Sequence, residues 1–276
     1  MRIIDIDGQL TVIRVTTRHS RALGFATWVT LLDGLAIDTG FYRARRRLFS
    51  ALRGRPVEQV ALTHEHEDHM GNAAALADRF GAVIRAPAPL VPVVEQPRTI
   101  RRYPYRHVLW GIPEPTRAEP LGDTVETPSL RLEVIPTPGH TRDHVVFFEP
   151  ERRAVFTGDL FTGPKVRQAR RVENVTDQIA SLERVRALNP RLMVCYHKGP
   201  MEDPVPALDA KIAFMRELRD DARRLRDRGL TPKAIARRLL GRETPLLMGY
   251  TMGDYTKVRL VEAALHPPGH YPVPIG

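Results

Sequence analysis

The chain has 276 residues, of which 42% are hydrophobic and 27% charged, the range of an ordinary globular protein with one large domain or one domain and a small extension. No window approaches roughly 18 consecutive apolar residues, the opening MRIIDIDGQLTVIRV alternates like a strand rather than a signal peptide, and the lone Cys195 excludes an internal disulfide or a cysteine-built metal site. The formal charge of +10 rests on arginine, since only five of 42 basic residues are lysine, and that skew reads as coding bias as much as selection for a polyanionic partner.

In chain order, residues 1–40 read as short strands, LTVIRVTT, FATWVTLL and GLAIDTG, with Asp33-Gly34 as a turn. FYRARRRLFSALRG (41–54) has helical periodicity and stops at Gly54. VEQVALTH is a strand, NAAALADRFG (72–81) a helix ended by Gly81, and AVIRA the next strand. Residues 87–120 then break the alternation with eight prolines interleaved with Tyr103, Tyr105, His107 and Trp110, which predicts an ordered flap near a pocket. Strands resume at LRLEVIPTPGH, and VVFFE with AVFTG forms a β-hairpin. TDQIASLERVRAL is a helix with Thr176 as its expected N-cap, and RLMVCYHKG is a strand. From Pro204 the chain reads as helical, with one helix stopping at Gly229 and another starting from Thr231-Pro232. The alternation places the fold in the α/β class.

LTHEHEDHMGN (62–72) packs three histidines and three carboxylates into six residues at the end of a strand. His64 and His66, two apart in an extended stretch, point to one side, and Asp68 and His69 follow once the chain turns. The spacing excludes the helical H-E-x-x-H zinc motif, because that motif requires histidine where Asp68 or Met70 stands. Three further strand ends carry His140 (TPGHT), Asp159 (FTGDL) and His197 (VCYHKG). Ligands at the carboxyl ends of strands are where α/β folds build sites. Five imidazoles and two carboxylates form a donor set for Zn²⁺, or less selectively for Mn²⁺ and Fe²⁺. Two such ions sharing a carboxylate, roughly 3.5–4 Å apart, hold a hydroxide between them.

THEHEDHMGN resembles the H-x-H-x-D-H signature of the metallo-β-lactamase superfamily, and TPGHT, FTGDLF and YHKGP are similar to its later metal motifs, in order, over about residues 10–200. The resemblance implies a four-layer αββα sandwich with the site at one edge, in a catalytic domain over 1–203 followed by a helical C-terminal extension over 204–276. It implies one metal on His64, His66 and His140, a second on Asp68, His69 and His197, and Asp159 as the bridge. AIDTG (36–40) matches the family's early acidic motif, so Asp38 is expected to brace the metal loops. The implied cofactors are two divalent ions, zinc first and manganese or iron as alternatives.

The implied chemistry is hydrolysis of an ester, thioester or lactone, with a phosphodiester as the subsidiary option, and Asp68 as the group that orients the nucleophile and moves a proton. The bridging aspartate resembles the glyoxalase II and lactonase branches and argues against a true β-lactamase. A mononuclear iron dioxygenase of the persulfide type, on the same fold, is the alternative from another class. A nucleic-acid binder using the basic C-terminal helices is the third, although RARRR (43–47) and RRLRDR (223–228) read first as solvated helix faces. The expected partner is a small-molecule substrate, with Tyr196, Lys198 and the arginines of GPKVRQARR (163–171) as candidate contacts for an acidic group. No membrane partner is expected, a homodimer is left open, and a cytoplasmic location is the expectation. His144 is assigned a supporting role, Glu65 and Glu67 are expected to face away from the ligands, and Cys195 is expected in the core.

Overall fold

The computed structural model describes residues 2–98 and 103–272. Its strands form two sheets. The first holds β1 (Arg2–Asp5), β2 (Leu10–Val15), β3 (Thr27–Leu32), β4 (Leu35–Ile37), β5 (Gln59–Ala61), β6 (Val83–Ala86) and β7 (Glu119–Pro120), side by side in chain order. β1 to β4 run antiparallel, while β4 to β7 are parallel. The second sheet holds β8 (Thr124–Glu126), β9 (Arg131–Pro136), β10 (Val145–Glu149), β11 (Ala154–Phe156), β12 (Leu192–Cys195) and β13 (Gly199–Glu202). Its one parallel pair, β11 with β12, is the one whose connection carries a helix, as a parallel crossover requires.

The helices are α1 (Arg18–Ala22), α2 (Arg45–Ala51), α3 (Glu67–Met70), α4 (Ala73–Phe80), α5 (Val91–Glu95), α6 (Pro104–Leu109), α7 (Val175–Ala187), α8 (Val205–Asp227), α9 (Pro232–Leu240), α10 (Pro245–Tyr250) and α11 (Lys257–Leu265). Three apolar clusters stack into four layers. Leu10 and Val12 of β2 meet Val145 and Phe147 of β10 between the sheets. Ile13 and Val15 on the opposite face of β2 pack under Leu48 and Leu76 of the first helical layer. Val146 and Phe148 pack under Leu182, Leu208, Ile235 and Val261 of the second. Strands that bury both faces lose the polar–apolar alternation of a half-exposed sheet. The αββα sandwich implied by the resemblance is therefore present, and the helices after Pro204 share one core with the second sheet.

Two local expectations are corrected. Residues 1–40 include a short helix, α1, whose Thr17 and Ser20 form a reciprocal capping box. The helix expected to be capped by Thr176 is capped earlier, by Asn174, whose side chain accepts from Asp177 N at 3.1 Å. Asparagine competes well for that position because its short amide reaches the free N–H groups. The segment 87–120 carries α5, α6 and β7, with residues 99–102 of the expected flap outside the described residues.

Candidate metal centre

All four ligand-bearing segments leave their sheets at the same edge. β5 ends at Ala61, and His64 and His66 lie in the extended exit before the single turn α3 carries Asp68 and His69. Gly71 follows because a Cβ there would stand 2.5 Å from Glu67 O and 2.7 Å from Tyr42 N. His140 occupies the β9–β10 loop, Asp159 leaves β11, and His197 leaves β12. Gly158, at φ +47°, delivers Asp159; a Cβ there would press to 2.8 Å on His144 Nε2. That nitrogen accepts from Asp159 N at 3.1 Å, while His144 Nδ1 pairs with Thr137 Oγ1 at 2.8 Å. His144 thus supports the Asp159 turn.

Four of the five rings meet a partner through the nitrogen that faces away from the centre. His69 Nδ1 lies 2.7 Å from Asp38 Oδ2, and His197 Nδ1 donates to Ala26 O at 2.8 Å. His64 Nδ1 is 3.0 Å from Thr63 Oγ1, which donates to Asp38 Oδ2 at 2.8 Å. His140 Nδ1 faces Glu173 Oε2 at 3.6 Å. Such partners fix the tautomer and turn the Nε2 lone pair inward, the arrangement that metal-ligating histidines use. Asp38, at φ +56°, also accepts from Thr63 N at 2.9 Å and so braces the loop as expected. His66 is the exception in this set: its Nδ1 faces the centre, 2.9 Å from His64 Nε2 and 3.1 Å from His140 Nε2.

The inward atoms form two groups, His64, His66, His140 and Asp159 in one and Asp68, His69 and His197 in the other, each within 4.8 Å. Asp159 faces both. Its Oδ2 is 3.3 Å from His140 Nε2, and its Oδ1 is 3.4 Å from His69 Nε2 and 3.1 Å from His197 Nε2. Asp68 Oδ2 lies 3.5 Å from His197 Nε2. Ligand atoms about 2.0–2.1 Å from a tetrahedral zinc stand roughly 3.3 Å from one another, and the distances here bracket that value, from 2.9 Å between His64 and His66 to 4.0 Å between His69 Nε2 and Asp68 Oδ2. His69 Nε2, Asp68 Oδ1 and Asp159 Oδ1 are buried without a hydrogen-bond partner. Buried polar atoms left open in this way fit a divalent-metal site.

The electrostatics agree. Burial works against a protonated His69, but Asp38 and Asp159 outweigh it and push the ring up to about 10. Burial likewise opposes charge on His140, and Glu173 and Asp159 push it up to about 9. Burial, reinforced by neighbouring rings and arginines, holds His64 and His66 well below the ordinary histidine value. Two imidazoles are therefore neutral and ready to bind, and on the others a bound cation would replace the proton.

Several contributors carry no motif. Arg170 Nη1 comes within 3.0 Å of His66 Nδ1, and the Arg170 backbone N–H donates to Glu173 Oε1 at 2.8 Å. Arg170 Nε lies 4.0 Å from Asp254 Oδ2, which also accepts from Tyr105 OH at 2.7 Å. Glu67, expected to face away from the ligands, stands outside both ligand groups; it is fully buried and pairs with Arg106 of α6. Arg106 supplies the guanidinium that a buried carboxylate needs. Tyr196, a candidate substrate contact, is also buried. Its hydroxyl donates to Asp68 O and accepts from Gly40 N at 2.9 Å, and its ring stacks on His69 at 3.8 Å between centroids. It locks the ligand turn instead. Cys195 lies in the core as expected.

Beside the centre lies a cavity of about 400 Å³. Its lining includes Asp159 and His197 from the strand ends, Tyr105 and Trp110 from the segment 87–120, and Lys211, Tyr250 and Tyr255 from the C-terminal segment. The sandwich and the histidine–carboxylate cluster at its edge define a metal-binding α/β protein of the metallohydrolase type. A sequence profile of the metallo-beta-lactamase superfamily matches residues 29–197, and the chain belongs to that superfamily. It is 29% identical over 211 residues to the hydroxyacylglutathione hydrolase of Stenotrophomonas maltophilia, covering 74% of each chain. A hydroxyacylglutathione hydrolase of Hydrogenovibrio crunogenus is 34% identical over 150 residues, 51% of this chain and 45% of the relative. In structure, the chain superposes on a metallo-beta-lactamase family protein of Thermus thermophilus with a TM-score of 0.70 at 20% identity, over 95% of this chain and 93% of the other. These likenesses, with the fold, make the chain a hydrolase. Among the described residues, no helix is long and apolar enough to cross a membrane.

Proposed function

We propose that the chain is a dinuclear hydrolase that cleaves a small thioester or ester, a lactone being the cyclic case. The observation that carries this reading is the Asp159 carboxylate, which turns one oxygen to His140 and the other to His69 and His197. A carboxylate so shared supports two neighbouring ions, zinc by the donor set, with His64, His66 and His140 holding one and Asp68, His69 and His197 the other. Bound divalent ions would supply Lewis acidity and a water whose pKa falls toward roughly 7. Asp68, with Oδ1 buried and unpaired, is the group that takes the nucleophile's proton and returns it to the departing thiol or alcohol as the acyl bond breaks. Trp110, Leu109 and Tyr255 limit water around the acyl group. The hydroxyacylglutathione hydrolase names of the relatives favour a thioester.

The test pairs metal analysis with a panel of p-nitrophenyl esters, thioesters, lactones and bis-p-nitrophenyl phosphate. About two zinc or manganese ions per chain, with turnover of an acyl substrate, is the expected result. One iron per chain with thiol-dependent oxygen uptake would replace this reading with the dioxygenase, and turnover of the phosphodiester alone would move it to nucleic-acid chemistry.

A further inference from the structure

The inward stripe of α8 runs Leu208, Lys211, Ile212, Met215, Leu218, Ala222 and Leu225, all buried. Spacing of three and four is that of a helix face packed into a core. Lys211 is the one cation in this stripe and is only 1% exposed. Among the described residues, its Nζ has no hydrogen bond and no ion pair; it lies 5.9 Å from the Phe161 ring centroid, and the Glu173 and Asp159 carboxylates act on it only at longer range. An ammonium buried without a hydrogen bond is costly, and a cation–π contact offsets only part of that cost. An apolar side chain would pack as well as its neighbours on the stripe do. What distinguishes position 211 is that it lines the cavity beside the metal centre.

The same cavity is lined by Tyr255, whose hydroxyl also lacks a hydrogen bond among the described residues and which burial keeps protonated. Leu260 and Val166 give it apolar wall, while Lys165, Arg167 and Lys198 are exposed. Cations in contact with solvent are screened and add little. Arg170, the other inward cation of the lining, is engaged by His66 and Asp254, which leaves Lys211 as the buried cation without a hydrogen bond. About 400 Å³ accommodates a small acyl group and not a polymer.

We propose that the inner part of this cavity is a subsite for a second anionic group on the substrate, a carboxylate at the far end of its acyl portion, paired with the Lys211 ammonium. The substrate is then the thioester or ester of a dicarboxylic acid, cleaved at one end at the strand edge and held by the other on α8. This rests on the hydrolase reading for the reaction, but the subsite itself is tested by binding.

Calorimetric titration of the metal-loaded protein would compare dicarboxylates from malonate to adipate with monocarboxylates of equal length. The metal term is common to each pair, so the difference reports the second carboxylate. A charge-assisted hydrogen bond in a closed site predicts that one dicarboxylate binds about tenfold tighter or more than its monocarboxylate. Lys211→Met and Lys211→Gln should abolish that preference and leave monocarboxylate affinity unchanged. Wild-type protein that shows no preference at any length, or a preference that survives both substitutions, would overturn the subsite. If the preference is present and lost on substitution while no acyl substrate is turned over, the subsite stands and the proposed reaction falls. Both variants should melt no lower than wild type, since each removes a buried charge.

Discussion

The two walls of the cavity are built on opposite terms. On the strand-edge wall, most ligand rings are fixed through the far nitrogen, to Asp38, Thr63 or Ala26, with Glu173 facing His140. Those partners set tautomer and aim before any ion arrives. On the helical wall, Lys211 and the Tyr255 hydroxyl line the cavity with no hydrogen bond or ion pair among the described residues, and Lys211 has only the Phe161 ring at 5.9 Å. On the proposed function, the first wall is organised for ions that are always the same, while the second holds open donors whose partner comes with the substrate. Preorganisation and unmet polarity thus mark different jobs within one site.

The comparison breaks most completely at Asp159, the side chain that faces both ligand groups. Even partners outside the ligand set typically cost 10–100-fold in metal affinity when removed. Asp159→Ala should therefore lower turnover by more than about a hundredfold and strip metal, read by metal analysis of the purified variant. Activity within a few-fold of wild type would show that the two-ion arrangement is wrong.

Lys211→Met sharpens the contrast from the other side by its effect on stability. Burial pushes the Lys211 ammonium down to about 8 in the folded chain, against 10.5 for a free lysine. Between those values the unfolded state binds the extra proton, so wild-type stability rises with pH across that window. The penalty is fully present below pH 8 and is relieved as pH passes 10.5. The methionine variant should accordingly be more stable at pH 7, by on the order of 3 kcal/mol, and should lose that advantage by pH 10.5. Chemical denaturation at both pH values measures it; a variant less stable at pH 7 would mean the amine is structurally paired.

Glu173→Gln tests the strand-edge wall more gently. The carboxylate faces His140 Nδ1 at 3.6 Å and accepts from Arg170 N and Gln178 Nε2. The amide keeps the shape and loses the charge, so metal affinity should fall about 10–100-fold with the fold intact. Titration with a competing chelator reads the change.

The difference between the walls also explains what could be read from the chain alone. His64, His66, Asp68, His69, His140, Asp159 and His197 stand at strand ends beside turn residues, so local pattern exposes them and the structure brings them together. Asp38 was legible only through the resemblance of AIDTG to the family's early acidic motif. Glu173 sits in a loop, and Lys211 lies inside an ordinary amphipathic helix, where a single lysine looks like a solvated position until the packing shows which face it is on. Glu67 stands outside both ligand groups, but its burial against Arg106 was not legible because the chain has already turned into α3 there. Tyr196 misled because strand-end position alone does not reveal that its hydroxyl is taken up by Gly40 and Asp68 backbone. The sandwich followed from the motif order; the helical roof over the cavity depends on contacts far apart in sequence.

The smallest expected effect lies where the walls meet. Tyr105 of α6 donates to Asp254 Oδ2 at 2.7 Å, and Asp254 in turn lies 4.0 Å from Arg170 Nε. Ala169 and Thr256 exchange two backbone hydrogen bonds, at 3.1 and 3.2 Å, so the C-terminal segment is pinned beside Arg170 independently of the tyrosine. Tyr105→Phe deletes one hydroxyl and leaves Asp254 with Arg170 as its remaining partner. A single hydrogen bond to a charged group predicts a loss of about 1.5–3 kcal/mol at most, and the backbone pair should hold it near the lower end. Because Tyr105 lines the cavity and lies outside the ligand set, the loss should fall on KM, with kcat and metal content preserved. A fall in kcat with KM unchanged would mean that the Tyr105–Asp254–Arg170 chain acts on the reacting atoms instead of on the position of the roof.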